Sequence, residues 1–504
     1  MSLQTRASVF GIKEETTVGT IVPLVAADFL PLMSGGFSME SGLEVIENNE
    51  LIAGDIAKGK KMTGKESPKG AFKCYCKGSG VEGTPAKWTE FIKVAMGSQT
   101  DHATEITLTS GSTTSLLKAA GGTGINTEVG HALLIKDLIN GYSIRNVESI
   151  ATDDLTLNFK VGTAPLTGVK TGKASLFKGA GTGHKSFSAW LYHANSGAIE
   201  AIAGSRCSSL GFKFTAGQPA EVDINFEGTS FFRDAVTIDS TNHHIDFIEG
   251  AGSELNAVLT QKTYKSPYHL AAEIKAQMEA VGALTYTVTF DWQTGKFTIT
   301  ASSSTITLKW NTGTNTATSA ANILGWSTTA DTSASITQTA TTALSLATSL
   351  TPVYDTAAVD PIIVKSNEIF IGTSNTDNIC LKASEVNINV DATISEITSI
   401  CSETGVYDKP ITGRKVTLST TVLMAANQCN LFYAQFANQS VKAMFNTGAK
   451  DDAGNWIAGK CFNFYFGNAS VTGNTIGGDE FRTIAISIEG YISSTLKDCY
   501  INTL

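Results

Sequence analysis

Charged side chains are scarce in this sequence, and their scarcity excludes several classes of protein. Asp, Glu, Lys and Arg make up 16% of the 504 residues, whereas about 25% is typical of soluble proteins. The 46 acidic residues outnumber the 37 basic ones, which gives a formal net charge of −9. A protein that grips DNA needs a cationic surface to displace counterions from the phosphates. The charge balance therefore argues against tight binding to nucleic acid.

Long apolar runs and proline are also scarce. No stretch approaches the roughly eighteen consecutive apolar residues that indicate a membrane-spanning helix, and the residues after Met1 lack the apolar segment of a signal peptide. We therefore expect no insertion into a membrane and synthesis in the cytosol. The 10 prolines are accompanied by 47 glycines and by much Thr, Ser and Asn. This composition predicts many short strands joined by tight turns.

Cysteine is spread thinly along a chain that is long enough for roughly two to four domains. Without a signal peptide, a disulfide framework is not indicated, and we interpret the thiols as buried and reduced. The eight cysteines are Cys74, Cys76, Cys207, Cys380, Cys401, Cys429, Cys461 and Cys499.

Two distant segments share a pattern that indicates an internal repeat. In residues 222–228 three apolar residues alternate with polar ones and are followed by Glu-Gly, and residues 484–490 repeat this order. A helix is predicted earlier in each half, at Trp88–Met96 and at Asn427–Asn438. In a further match between the two halves, Pro68 aligns with Pro410. Chance similarity between Thr- and Ser-rich strands is the alternative to duplication.

These patterns predict a mainly β fold with two tandem β-sandwich or barrel units, each with one flanking helix, plus two inserted small domains. Residues 236–350 contain a predicted β-α-β module, in which Ser266 and Pro267 begin a helix that Gly282 ends. A Ser/Thr/Ala-rich tract at about 327–351 is either a linker or an extended edge. The predicted division is 1–104 (first copy, first part), 105–180 (inserted small β-barrel), 181–235 (first copy, second part), 236–350 (accessory domain) and 351–504 (second copy).

Motifs that could carry chemistry are incomplete. Gly59–Lys65 has the spacing of a phosphate-binding loop, but Glu66 stands where Ser or Thr must bind Mg²⁺. Gly179–Ser186 is a second near-match to this loop, but a histidine is inserted before its lysine. Cys74 and Cys76 lack a second pair of ligands at zinc-site spacing. We therefore predict no catalytic residues, no metal site and no cofactor, and we do not expect an enzyme.

One charge pattern suggests a surface for assembly. An acidic block followed by a basic block within residues 40–70 could complement the next subunit in a head-to-tail stack. A solvated loop is the alternative interpretation. Residues 391–413 are the counterpart in the second copy, and we expect both segments to contact the next subunit of the stack. The ring-stacking hypothesis rests on Glu44, Glu47, Glu50, Asp55, Lys58, Lys60, Lys61 and Lys65.

The N-terminal segment Gly11-Ile-Lys-Glu-Glu-Thr-Thr-Val-Gly-Thr20, with Phe29-Leu-Pro-Leu32 after it, resembles the opening of siphophage tail tube proteins. Residues 236–350 are similar to an accessory module of phage tail proteins, notably at Gly295-Lys-Phe-Thr-Ile and Leu324-Gly-Trp326. The resemblance implies a virion protein of a long-tailed bacteriophage, assembled in the host bacterial cytoplasm.

The same resemblance implies how the chain would work. Family subunits form rings whose sheets join into a cylinder, and a duplicated subunit would make a pseudo-hexameric ring from three chains. The rings stack around a tape-measure protein, meet tail terminator and distal tail or baseplate proteins, and conduct double-stranded DNA. We expect a lumen lined by polar sheet faces rich in Asp, Glu, Asn, Ser and Thr. The alternative is another structural tail component: a terminator, a distal tail protein, or an adhesin with a carbohydrate-binding insert.

Overall fold

The fold is mainly β, as the sequence predicts, and every strand pair between named strands is antiparallel. The structure is a computed structural model. It describes residues 8–48, 60–120, 127–193, 198–344, 352–354, 359–376, 380–424, 435, 437–478 and 480–504. The predicted helix Asn427–Asn438 therefore lies almost entirely outside the described residues.

The strands and helices are numbered along the chain. The first group is β1 (Ser8–Glu14), β2 (Phe29–Leu30), β3 (Phe37–Glu40), β4 (Leu43–Ile46), β5 (Met62–Glu66), β6 (Lys69–Tyr75), α1 (Glu90–Met96) and β7 (Gly97–His102). The second is β8 (Leu116–Lys118), β9 (Ala132–Ile135), β10 (Ser143–Ala151) and β11 (Asp154–Leu157). The third is β12 (Ala174–Gly179), β13 (Phe187–His193), β14 (Ala198–Thr215), β15 (Glu221–Glu227) and β16 (Ser230–Arg233).

The accessory segment and the C-terminal part follow. The accessory elements are β17 (Val236–Thr237), β18 (His244–Glu249), β19 (Glu254–Val258), β20 (Thr263–Tyr264), α2 (Pro267–Val281), β21 (Tyr286–Asp291), β22 (Lys296–Ala301), β23 (Ile306–Leu308), α3 (Ala321–Leu324) and β24 (Thr337–Thr339). The C-terminal strands are β25 (Glu368–Gly372), β26 (Ala383–Ile394), β27 (Ile397–Thr398), β28 (Val406–Asp408), β29 (Ile411–Leu423), β30 (Val441–Lys450), β31 (Trp456–Gly477), β32 (Thr483–Gly490) and β33 (Tyr500–Thr503).

One layer of the fold is a sheet that runs through both halves of the chain. Its strands lie in the order β3, β6, β15, β14, β26, β29, β32, β31. Along the inner strands, as in β15 and β32, apolar side chains alternate with polar ones and point to one side, where they are buried. The other side carries polar residues, and this layer is called the polar-faced sheet below.

The second layer packs on the buried side of that sheet. In the first half it contains β2, β1, β13 and the N-terminal part of β14, with β16 alongside. In the second half it contains β25, β30, the N-terminal part of β31 and β33. The long strands β14 and β31 therefore belong to both layers. Phe10 and Phe72 stack across the two layers with ring centroids 4.6 Å apart. Buried aromatic pairs of this kind stabilise the core between the layers.

Helix α1 closes the core of the first half. The sequence predicts a helix at Trp88–Met96, and the structure confirms it as a 3₁₀ turn at Lys87–Thr89 continued by α1. Phe91, Ile92 and Met96 are fully buried. The helix ends at Gly97, whose φ of 89° lies in the left-handed region that glycine tolerates best.

The segment predicted as an inserted barrel has a core of its own. Strands β8, β11, β10 and β9 form one sheet. Isolated bridges join Leu108 to Ala119, Thr107 to Lys170, and Ile135 to Thr171, so the sheet closes on itself. Its two stem strands, β7 and β12, pair with each other, and β12 also pairs with β33 of the second half. The insertion thus leaves the first half and packs on the second.

A cluster of buried asparagines fixes this barrel to the second half. Asn146 on β10 and Asn463 on β31 exchange side-chain hydrogen bonds of 2.7 and 2.9 Å. Asn463 also donates to Asn446 at 2.8 Å and accepts from Asn502 at 3.1 Å. All four side chains are fully buried. Because buried amides are costly to leave unpaired, this network specifies one docked arrangement.

A second polar cluster lies at the foot of the barrel. The imidazole rings of His102 and His131 stack with centroids 3.8 Å apart. The carboxylate of Glu128 pairs with Lys178 and lies 3.7 Å from Nε2 of His102. Burial opposes ionisation of Glu128, but its interactions with His102, Lys178 and Thr100 prevail and lower its pKa to about 2.

The accessory segment packs around α2 in a separate core. Leu270, Ile274 and Met278 on α2 are fully buried. The predicted helix ends are confirmed: Ser266 occupies the N-cap, Pro267 is the first helical residue, and Gly282 follows the last. The Ser266 hydroxyl pairs with His269 instead of capping the backbone. In the Ser/Thr/Ala-rich tract, β24 pairs with β22 as an extended edge, and residues 345–351 lie outside the described residues.

Candidate assembly surface

The open side of the polar-faced sheet carries more carboxylates than lysines. The carboxylates on this side are Glu40, Glu221, Asp223, Glu227, Glu385, Asp391 and Glu489, and the lysines are Lys69, Lys73, Lys213 and Lys415. Asn, Ser and Thr occupy most other positions. The sheet is therefore an extended polar surface with an acidic balance.

Most of these lysines are held by a carboxylate on the next strand. The ammonium groups lie 3.6 Å from Glu227 for Lys69, 2.8 Å from Asp223 for Lys73, and 3.2 Å from Glu489 for Lys415. The hydrogen bond and the charge of Asp223 raise the pKa of Lys73. Lys213 lies opposite Glu221 in the strand register. Exposed pairs of this kind add little stability, but they leave few lysines free to bind a phosphate.

The two halves of the chain meet edge to edge at the centre of this sheet. Strand β14 pairs with β26 from Ser209 opposite Asp391 to Thr215 opposite Glu385. Phe212 and Ile388, opposite each other at this junction, are buried. The core continues across it, because the ring centroid of Phe214 lies 4.8 Å from that of Phe445.

Each half contributes four strands in the same spatial order. The order β3, β6, β15, β14 in the first half matches β26, β29, β32, β31 in the second. Both halves also carry an irregularity at the same point. It falls between Cys207 and Ser209 on β14, and between Val471 and Gly473 on β31. A shared bulge is a specific feature, because bulges re-aim a strand at a fixed position.

The two outer edges of the sheet are unpaired among the described residues. β3 pairs only with β6, and the C-terminal part of β31, beyond Ala469, pairs only with β32. Ile476 on this edge is 43% exposed. Unpaired edges attract other strands. The sheet therefore has β3 at one end and the C-terminal part of β31 at the other as edges that a further strand can join.

The described members of the predicted ring-stacking set lie on or beside a hairpin that projects from the sheet. Residues 40–70, here the first arm, contain β4 paired with β5. Glu44, Glu47, Lys60, Lys61 and Lys65 are described, whereas Glu50, Asp55 and Lys58 lie outside the described residues. Acidic and basic residues do meet here, but within the chain: Lys61 lies 2.8 Å from Glu47.

The second arm, residues 391–413, lies against the first. Lys65 pairs with Glu396 at 2.6 Å, and the backbone amide of Glu66 donates to the carbonyl of Thr404 at 3.0 Å. The hydrogen bond and charge of Glu396 raise the pKa of Lys65. Lys409 is buried where the arms join the sheet, and its ammonium lies 3.2 Å from Glu227.

Sequence reasoning missed the apolar side chains on these arms. All four residues of β4 are exposed, so the alternation of apolar and polar residues along this strand does not indicate a buried face. Ile400 on the second arm is fully exposed. Several exposed apolar residues on neighbouring segments mark an interaction surface more often than scattered ones do. The exposed apolar residues of the arms are Leu43, Val45, Ile46, Met62, Ile397, Ile400 and Tyr407.

Most of the described cysteines lie in the core. Cys74, Cys76, Cys207, Cys461 and Cys499 are buried free thiols, as predicted, and burial raises the pKa of Cys207 to about 12. The prediction was wrong for Cys380 and Cys401, which are exposed, and Cys429 lies outside the described residues.

Two searches over the described residues add to this picture. No group of three or more His, Cys, Asp or Glu residues in the described ranges could hold a metal ion. Within the same ranges, no helix is long and apolar enough to cross a membrane.

Comparisons with known proteins give slight structural likenesses, of which one is described here. No protein-family model matches the sequence, and no curated protein matches it. Among solved structures, a chain from the virion of a native gene transfer agent particle is similar over 25% of this chain and 92% of its own length. The sequence identity is 12% and the TM-score 0.18. A likeness this slight indicates neither a fold nor a function.

Proposed function

We propose that this protein is a structural subunit that joins copies of itself edge to edge into closed rings, and that these rings stack into the tail tube of a long-tailed phage. The junction between β14 and β26 carries this proposal. It shows that the end strand of one four-stranded unit pairs with the first strand of the next. The outer edges, β31 and β3, are the same two positions in the repeated order. A second chain can therefore continue the sheet.

The expected size of the ring fits a conduit. The resemblance to tail tube proteins implies six units per ring, so two units per chain give three chains. Three chains would join about 24 strands spaced about 4.8 Å apart, which gives a barrel at least about 37 Å across between backbones, and strand tilt widens it. Side chains reaching about 5 Å from each wall leave about 27 Å. That width admits a DNA duplex.

The polar face of the sheet suits the lining of such a conduit. Every phosphate held by a free Lys or Arg adds a salt-dependent grip on DNA. Three of the four lysines on this face are already bound to carboxylates, and Glu385 and Asp391 add further negative charge. DNA would be repelled weakly from the wall and would slide.

The remaining parts of the proposal follow from the resemblance. The tube would enclose a tape-measure protein, meet terminator and distal tail or baseplate proteins at its ends, and assemble in the host bacterial cytoplasm. The subunit would have no catalytic role and no cofactor. The inserted barrel and accessory domain would lie on the outer surface, away from the lumen.

Electron microscopy of the purified chain tests the proposal. We expect hollow tubes, with cross-sections that average with threefold symmetry, at protein concentrations where assembly is complete by sedimentation. A folded chain that stays monomeric at every concentration would contradict the proposal. Closed rings that never stack would favour a terminator or distal tail protein. As a control, Val258→Asp, on an exposed position of the accessory domain, should leave the tubes unchanged.

A further inference from the structure

We infer the residue register of the contact between neighbouring chains: β31 of one copy pairs antiparallel with β3 of the next, with Ile476 opposite Met39. This inference rests on the proposed function. It places Gly477 opposite Ser38 and Thr475 opposite Glu40. The junction within the chain supplies the template, because β14 and β26 occupy the same positions in the repeated order as β31 and β3.

The position of Ile476 follows from the two Glu-Gly strands. Val222 on β15 and Ile484 on β32 lie at the same distance before the Glu-Gly that each strand shares. Val222 pairs with Phe212, and Ile484 pairs with Ile476. The shared bulge confirms the alignment of β14 with β31. Ile476 is therefore the counterpart of Phe212.

The position of Met39 follows from the other edge. Phe226 pairs with Gly70, and Gly70 pairs with Met39. In the second half the corresponding chain of partners runs from Ile488 through Leu418 to Ile388. Met39 is therefore the counterpart of Ile388. Since Phe212 lies opposite Ile388 within the chain, Ile476 should lie opposite Met39 between chains.

Side-chain chemistry at the open edges agrees with this register. Phe212 and Ile388 are 1% and 0% exposed, whereas Ile476 is 43% exposed and would be covered by the pairing. The next pair inward within the chain, Leu210 with Val390, is apolar.

The corresponding pair between chains consists of Asn474 and Ser41, and both members are polar. The carboxamide of Asn474 is buried and has no hydrogen-bond partner among the described residues, whereas a buried polar group of this kind usually has one.

The charge of Glu40 favours the pairing of β31 with β3 over the pairing of two β3 strands. Glu40 on β3 would lie beside Thr475, a neutral residue, in the same way that Asn389 lies beside Gly211 within the chain. Two copies of the β3 edge would instead place two Glu40 carboxylates on the same face of adjacent strands, where like charges oppose pairing. The contact is therefore head-to-tail, which allows a ring to close.

Cysteine pairs test the register directly. In a background with Cys380→Ser and Cys401→Ser, the variant Ser38→Cys with Gly477→Cys should form disulfides between chains, ending in a covalent closed trimer on non-reducing gels. Gly477 has room, since a Cβ there would be 3.9 Å from its nearest neighbour, Thr483. A second in-register pair, Glu40→Cys with Thr475→Cys, guards against an unfavourable single site.

A mismatched pair is the control. Ser38→Cys with Thr475→Cys lies on the same face but two residues out of register, where Cα atoms are about 7–8 Å apart and a disulfide does not form without backbone movement. We expect at least a tenfold lower cross-linked fraction. Rings that cross-link only through the mismatched pair, or through neither in-register pair, would overturn the register while leaving the proposed function intact. A parent chain that never self-associates would instead contradict the function, and the register with it.

A charge at the edge gives an independent readout. Ile476→Asp should abolish ring closure while the chain keeps its thermal stability, because the side chain is exposed before assembly. Ile336→Asp is the matched control, since Ile336 is 47% exposed in the accessory domain. Normal rings from Ile476→Asp would also overturn the inference.

Discussion

Arg414 and Lys415 are consecutive residues on β29 whose ion pairs should differ sharply in their effect on stability. Arg414 forms a bidentate pair with Asp498, at 2.8 and 3.1 Å, and both side chains are 7% exposed. Its guanidinium also donates to the carbonyls of Met96 and Ala180 in the first half.

The magnitude follows from what each substitution leaves behind. Arg414→Met strands a buried carboxylate and two carbonyls, and removing one partner of a buried pair costs about 3–5 kcal/mol. Lys415 pairs with Glu489 at 3.2 Å with the two side chains 58% and 38% exposed. Exposed pairs contribute about 0–1 kcal/mol. Lys415→Met should therefore be nearly neutral.

Urea denaturation of the unassembled chain, followed by tryptophan fluorescence, measures the difference. With a slope of about 3 kcal/mol per M, Arg414→Met should lower the midpoint by about 1–1.7 M. Lys415→Met should lower it by no more than about 0.3 M. Equal midpoints for the two variants would show that the Arg414 pair does not couple the halves. If Asp498→Asn lowers the urea midpoint as little as Lys415→Met does, this result would also refute the reasoning.

Four further predictions concern acid stability, the asparagine cluster, the accessory domain and the arms. Because the pKa of folded Glu128 is lowered to about 2, its contribution is present above the unfolded value of about 4.3 and is lost as the pH falls toward 2; Glu128→Gln should flatten the loss of melting temperature over that window. Asn463→Leu should cost about 2 kcal/mol or more, because it orphans buried amides, and an unchanged urea midpoint would contradict this. Deleting residues 240–350 with a short linker should leave tube formation intact by electron microscopy, since that segment has its own core. Lys58→Glu, Lys60→Glu and Lys61→Glu together should shorten tubes without changing the melting temperature of the free chain, and tubes of normal length would favour the interpretation of the first arm as a solvated segment.

Local structure was predictable wherever short-range patterns determine it. The alternation before Glu227 correctly predicts β15, and the Ser266, Pro267 and Gly282 signals correctly place α2. The match of Pro68 with Pro410 was wrong. The sheet register places Lys69, the residue after Pro68, at the position of Thr417, because the strands leading to the second arm are longer.

The candidate site was harder to predict, because its parts come from distant segments. Charge blocks identified the first arm, but Lys65 turns out to bind Glu396 of the second arm. A sequence does not show which exposed apolar residues, such as Ile400, stay uncovered. Nor does it show that Asn146 and Asn463 share hydrogen bonds. Pairing of β14 with β26 depends on tertiary packing, which overrides local propensity.

The junction between β14 and β26 has a consequence for the kinetics of assembly. In a ring of three such chains, half of the unit-to-unit contacts form within one polypeptide during folding, at an effective concentration set by the connecting chain instead of by the protein concentration. Ring closure then needs an encounter of three bodies in place of six. A lower molecularity makes nucleation less sensitive to dilution, so the proposed rings would begin to form at a low subunit concentration.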